Sequence, residues 1–231
     1  MMLPLAAQRC VERPISAGAP MPADLHVPHI ALPGTTHRGT RLNRLGDPHA
    51  PESPGHLRDI AITRELLAQR SEAGDAWARA MDRHGATAVW RELAVHVAGH
   101  EQAAVQTLVG AALAAASTQA GIGKRRWQRQ RPYQLDPSID VVGRTPRPGD
   151  SSYPSAHAAR AFAAARVIAR LDPTLEPQAW QLAREVAISR IYAGVHFASD
   201  VIAGARLGIA AAESVLARRD TILGAATINV A

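Results

Sequence analysis

The stretch QAAVQTLVGAALAAASTQAGIG (102–123) is the longest uncharged run in a chain of 231 residues, and how it is read decides the fold. It is long enough to span a bilayer, yet Ala, Gln, Ser and Thr stand where a membrane span would carry mostly Leu, Ile and Phe. It therefore reads as a buried helix of a soluble protein, with no membrane span.

The flanking sequence has the same texture. From about residue 57 the chain is rich in Ala, Leu, Val and Arg at 3.6-residue spacing, with almost no β-branched runs. Helices are expected near 58–72, 75–84, 86–98, 100–120, 124–131, 155–171, 175–190 and 197–218, the third and fourth free to be continuous. Gly74, Gly85, Gly121, Gly123, Pro132 and the loop 136–154 supply the breaks. The expected fold is all-α, a single-domain compact helical bundle over 57–220. An extended or partly disordered N-terminal arm over 1–56 precedes it and a tail over 221–231 follows. The arm rests on composition: nine of the 16 prolines lie in residues 1–55, and five of the ten histidines in 1–56. Dispersed histidines are a weak metal signal, so a solvated tail is the plainer account.

A net charge of +6 and a pI near 10.6 favour acidic partners, whether nucleic acid, anionic lipid or phosphorylated small molecules. The single cysteine, Cys10, excludes an intramolecular disulfide framework and a Cys-based metal cluster. The start, MMLPLAAQRC, has neither a basic n-region nor an apolar h-region of useful length.

Three fragments could carry chemistry. In GIGKRRWQRQRPYQL (121–135), Lys124 is the only lysine among 26 Lys and Arg residues. Lys124 and Arg131 are seven residues apart, about 10 Å along a helix, so they would point from one face and grip an anion from two sides. Pro132 ends that helix and pushes Arg131 out of the αR region. A basic surface stripe, or a nucleic-acid patch around Trp127, also accounts for the fragment. In SSYPSAHAA (151–159) a helix begins after Pro154, and its open N–H groups and positive dipole end form a ready anion site. His157 in that first turn could protonate a leaving oxygen. Taken alone, Ser155 as a cap and His157 as an ordinary first-turn residue is the plainer account. In SRIYAGVHFASD (189–200), His196 and Asp200 are i,i+4, where a carboxylate can orient a neutral, nucleophilic imidazole. Arg190 lies about 240° from His196 on a continuous helix and shares its site only if the chain breaks, for which Gly194 is placed. Half a metal site and a surface pair are the alternatives. His96 and His100 are also i,i+4, but Glu101 points away from their face, so no metal is expected.

Taken together the fragments spell K-x6-R-P, P-S-x-H and S-R-x5-H-x3-D in order. This resembles the signature of the type 2 phosphatidic acid phosphatase superfamily over about residues 100–215, and the surrounding texture is most similar to its soluble bacterial class A non-specific acid phosphatases. The resemblance implies a metal-independent phosphomonoester hydrolase that is vanadate-sensitive, needs no cofactor and acts on soluble organic phosphates through a phosphohistidine. It also implies a capacity to transfer phosphate to alcohols. Carried over by position, Lys124, Arg131 and Arg190 hold phosphate oxygens, with Ser155 and the backbone at Ala156 assisting. His196 attacks phosphorus, Asp200 orients it, and His157 protonates the leaving alcohol and then activates water. The family has Gly where this chain has Ala156, which keeps the N–H but adds a Cβ that resists positive φ. A periplasmic or secreted site is implied, although no signal is readable. The partner expected is a small phosphorylated substrate, without nucleic acid and with a homo-oligomer left open.

Two competitors share parts of this pattern. A vanadium-dependent haloperoxidase would hold vanadate with the same cations and ligate vanadium through His196, although such chains are usually longer. A non-catalytic module binding nucleic acid through KRRWQRQR would bind in a steeply salt-dependent manner, but leaves two of the three fragments unexplained.

Overall fold

The computed structural model describes residues 12–147 and 149–228. Among them there is no strand, and the helices are α1 (Pro54–Leu67), α2 (Glu72–His84), α3 (Ala88–Ala94), α4 (Gln102–Trp127), α5 (Pro132–Leu135), α6 (Ala156–Leu171), α7 (Glu176–Tyr192), α8 (Ala198–Leu216) and α9 (Arg219–Ile228).

Helix α6 is the axis of the bundle. Its residues Ala161 to Ala165 are buried in succession, on every side of the helix, because α4, α7 and α8 all pack against it. Over these residues the helix has no polar stripe to keep, and alanine lets its neighbours come close. The approach of α8 is closest: a Cβ placed on Gly204 would stand 2.3 Å from the Ser155 carbonyl oxygen, and one on Gly208 2.0 Å from that of Ala159. This backbone contact lets the Ser155 N–H donate to the Asp200 carbonyl at 3.0 Å, so the starts of α6 and α8 lie side by side.

Helix α4 contains the uncharged run and buries one stripe, from Val105 through Leu108, Ala112 and Ala116 to Gly123. No helix among the described residues is long and apolar enough to cross a membrane. The separate helix expected over 124–131 does not form. Gly121 and Gly123 stay inside α4, which runs on to Trp127, and the chain turns at Gln128 with a left-handed φ of 47°. Helix α3 is shorter than the expected 86–98, and the stretch expected as tail from 221 is helical through Ile228.

From residue 12 the arm is extended, with single 3-10 turns at Ile15–Ala17 and Leu42–Arg44. The described part is tied to the helices at intervals. Arg13 forks onto Glu185 at 3.1 and 2.6 Å, Arg166 donates to the Thr35 carbonyl at 2.7 Å, and Tyr153 to that of Gly46 at 2.7 Å. Ala17, Ile30, Leu32 and Leu45 are buried along it. Residues 1–11, Cys10 among them, lie outside the described residues, as do 229–231 of the expected tail.

Candidate active site

The centre of the site is the turn between α7 and α8. Helix α7 stops at Tyr192, Gly194 takes a positive φ of 75°, and the N–H groups of Val195 and His196 both return to the Arg190 carbonyl at 3.2 Å. The expected break is therefore present. His196 and Asp200, however, do not meet as i,i+4 neighbours on one helix, because α8 begins only at Ala198. Asp200 reaches back from the first turn, its Oδ2 accepting the Phe197 N–H at 2.8 Å, and faces His196 Nδ1 at 3.4 Å. Ser152 Oγ donates to the same oxygen at 2.5 Å and stands 3.4 Å from Nδ1. On the other edge of the ring, Arg131 Nη1 is 3.3 Å from Nε2. A guanidinium can only donate, so Nε2 is the acceptor and Nδ1 carries the proton. Burial, reinforced by the Arg131 charge, lowers the His196 pKa well below its ordinary 6.5, so the ring is neutral. Burial alone would raise Asp200, but its hydrogen bond with His196 and the charge of Arg129 hold it below the usual carboxylate range.

Two cations, Arg131 and Lys124, lie close to this imidazole, and a third, Arg190, lies close to Arg131. Arg131 is extended (φ −89°, ψ 159°), as the residue before a proline must be. Its guanidinium spans the Asp150 carboxylate at 3.2 Å, the Ser151 carbonyl at 3.1 Å and the Val195 carbonyl at 2.7 Å. Lys124 donates to the same Ser151 carbonyl and faces Asp150 at 3.7 Å. Since α4 ends between them, the two cations converge through the turn at Gln128 and not along a shared helical face. Burial, with Arg131 nearby, lowers Lys124 to about 8. Arg190 is 3% exposed and pairs with Asp82 at 2.9 Å through Nη2 alone; among the described residues its Nε and Nη1 have no partner. Arg190 and Arg131 are close enough that each charge disfavours the other.

His157 is half-buried beside Arg190, with Nε2 3.2 Å from the Asp82 carbonyl. Burial and the Arg190 charge lower its pKa. Ser155 caps α6, accepting the Ala158 N–H at 3.5 Å. Ala156 is the first residue of α6 and has no positive φ, so its Cβ is accommodated without backbone strain. The sequence expectations missed the counter-ions. Asp82 lies on α2, Asp150 and Ser152 stand next to the P-S-x-H fragment, and Arg129 lies unread inside the basic run. No group of His, Cys, Asp or Glu among the described residues is suited to a metal, and His100 turns its Nε2 to the Leu171 carbonyl at 3.1 Å.

The PAP2 superfamily model matches residues 105–221, which include all three fragments. The chain belongs to the PAP2 superfamily. Among curated PAP2 relatives, the decaprenylphosphoryl-5-phosphoribose phosphatase of Mycobacterium tuberculosis is 44% identical over 85 residues, 37% of this chain and 45% of that protein. The enzyme of the same name from Mycolicibacterium smegmatis is 35% identical over 96 residues, 42% of this chain and 50% of that one. The chain thus spans about half the length of these relatives. Among solved structures, Aquifex aeolicus LpxE superposes with a TM-score of 0.57 at 23% identity, over 68% of this chain and 94% of its own. A transmembrane PAP2-type phosphatidylglycerolphosphate phosphatase from Bacillus subtilis gives 0.57 at 21%, over 74% and 89%. At such identities the likeness is one of PAP2 fold.

Proposed function

We propose that the protein is a metal-independent phosphomonoesterase acting through a phosphohistidine at His196. The observation that carries this reading is the guanidinium of Arg190, buried beside Arg131 with two N–H groups unpartnered among the described residues. A buried donor without an acceptor is costly, and a phosphate oxygen brought to this pocket supplies what is missing.

With the phosphoryl oxygens held by Lys124, Arg131 and Arg190, and with the Ser155 hydroxyl and the backbone N–H of Ala156 assisting, Nε2 of neutral His196 attacks phosphorus. The P–N bond forms as the P–O bond to the alcohol breaks. Asp200 and Ser152 keep the Nδ1 proton in place and stabilise the imidazolium character that develops. His157 gives its proton to the leaving oxygen, then takes one from the water that cleaves the phosphohistidine and frees phosphate. The low pKa of His157 belongs to the anion-free pocket; a phosphate dianion beside Arg190 offsets that cation and favours the protonated acid.

The substrate of first choice is a small, water-soluble phosphomonoester. The names of the curated relatives put their phosphate on a lipid-linked sugar, so a lipid-borne monoester is the second reading. The test is phosphate release with excess EDTA, comparing para-nitrophenyl phosphate, an alkyl phosphate and a detergent-dispersed lipid phosphate. Turnover is expected to survive EDTA, to be blocked by vanadate and to vanish in His196→Ala. His157→Ala is expected to cost about 10²–10⁴-fold on the alkyl ester and less on the nitrophenyl ester, whose leaving oxygen needs little protonation. Full turnover in His196→Ala would remove the nucleophile assignment. Halide oxidation on adding vanadate, without phosphate release, would move the site to haloperoxidase chemistry.

A further inference from the structure

Asp200 is gripped from behind by residues to which the three motif patterns assign no role. Arg129 Nη1 donates to Asp200 Oδ1 at 2.6 Å and to Ser199 Oγ at 2.7 Å, while its Nη2 donates to Asp59 Oδ2 at 3.0 Å and to His56 Nδ1 at 3.3 Å. Asp59 comes from α1, outside the span that the PAP2 model matches. It accepts the Ser199 N–H at 2.9 Å and hydroxyl at 2.5 Å, and its outer side meets His49 Nδ1 at 3.0 Å. The guanidinium also lies over the Phe197 ring, 4.4 Å from its centroid. Arg129, Asp59 and Asp200 are 9%, 3% and 0% exposed.

Two carboxylates and a guanidinium out of water are a poor way to hold helices together, since apolar side chains of similar volume would serve as well or better. The arrangement does fix one thing that apolar packing could not. Asp200 Oδ2 is turned to His196 Nδ1, Ser152 and Phe197, whereas Oδ1 is held by Arg129. Without that donor the carboxylate is free to rotate or to take up a proton. A protonated Asp200 would donate to Nδ1 and drive the imidazole proton to Nε2, the atom that must stay bare.

We propose that Asp59 and Arg129 are positioning residues for His196, a buried pair that keeps the Asp200 carboxylate ionised and aimed so that His196 holds its proton on Nδ1. The catalytic consequence rests on the phosphohistidine reading; the tautomer does not, and it can be measured without turnover.

Long-range ¹H–¹⁵N spectra of the full chain report the tautomer of His196. The wild type is expected to show Nδ1–H, and Asp59→Asn and Arg129→Gln a mixture with Nε2–H. In the same variants kcat on para-nitrophenyl phosphate is expected to fall about 10–100-fold, with KM and the inhibition constant of inorganic phosphate changed by no more than about twofold. Arg129→Lys keeps the charge without the fork and is expected to recover part of kcat. A folded Asp59→Asn with the wild-type tautomer and kcat would overturn the proposal. So would a loss that follows melting temperature alone and spreads over kcat and KM together. A wild type that carries Nδ1–H but hydrolyses no phosphomonoester would sink the proposed function instead, and the tautomers of the variants would still decide the positioning claim.

Discussion

Lys124 is the one lysine of an arginine-rich chain, and its surroundings give a reason. The fork of Arg131 already takes one Asp150 oxygen and the Ser151 carbonyl, and Lys124 is served by the other oxygen and the same carbonyl. A compact ammonium suits a site shared in this way, whereas a second planar fork does not. The lysine also titrates where arginine would not. Held near 8 by burial and Arg131, it is charged below that pH and neutral above it. In the phosphatase reading KM for para-nitrophenyl phosphate should therefore rise as pH passes through about 8, with kcat little changed. Lys124→Arg should abolish that limb while lowering kcat/KM about 10–100-fold through misplacement of the charge. A wild-type KM that stays flat into alkaline pH would take Lys124 out of the pocket.

Among the elements, the crossing of α6 and α8 carries the most consequence, because it sets Ser155 against Asp200. Gly204→Ala puts a methyl group into the Ser155 carbonyl, so the helices must part. The expected cost is about 1–3 kcal/mol of stability, seen in chemical denaturation, together with a loss of kcat larger than that destabilisation explains. Unchanged kcat would mean that the starts of the two helices need not be in register. These helices were legible in the sequence because their starts are enforced locally, by the cap at Ser155 and by the break at Gly194 that precedes α8. The turn at Gln128 was not legible, since no Gly or Pro marks it and local pattern carries no trace of Arg129 reaching two distant carboxylates. Asp59 is bonded to Ser199, 140 positions away, and in sequence it is only a polar residue of an amphipathic helix. The three motif fragments were legible for the opposite reason, because each packs its functional groups within a few residues. Their counter-ions Asp82 and Asp150 were hidden by distance in the chain or by an irregular loop.

At the scale of the molecule, His56, His157 and His196 are all lowered below 6.5, each chiefly by burial. In the unfolded chain they titrate near 6.5. Below that pH the unfolded state binds more protons than the native state, and stability declines as pH falls toward the folded values. Asp200, also lowered, adds to the loss only at lower pH. The melting temperature should accordingly fall by several degrees between about pH 7 and about pH 5. His196→Asn should flatten that slope, and inorganic phosphate should raise the melting temperature at either pH if it occupies the native pocket. A melting temperature indifferent to pH over this range would mean that these rings are not kept neutral.

The arm adds an order of events to this architecture. Anchors such as Asp47 on Trp127, 80 positions apart, and Arg13 on Glu185, 172 apart, join distant parts of the chain. The helices form from neighbours in sequence, while loops of that length close slowly and against entropy. The arm needs an existing surface to settle on, so the strap that crosses the finished bundle is expected to dock last in folding and to show the earliest amide hydrogen exchange in the native protein.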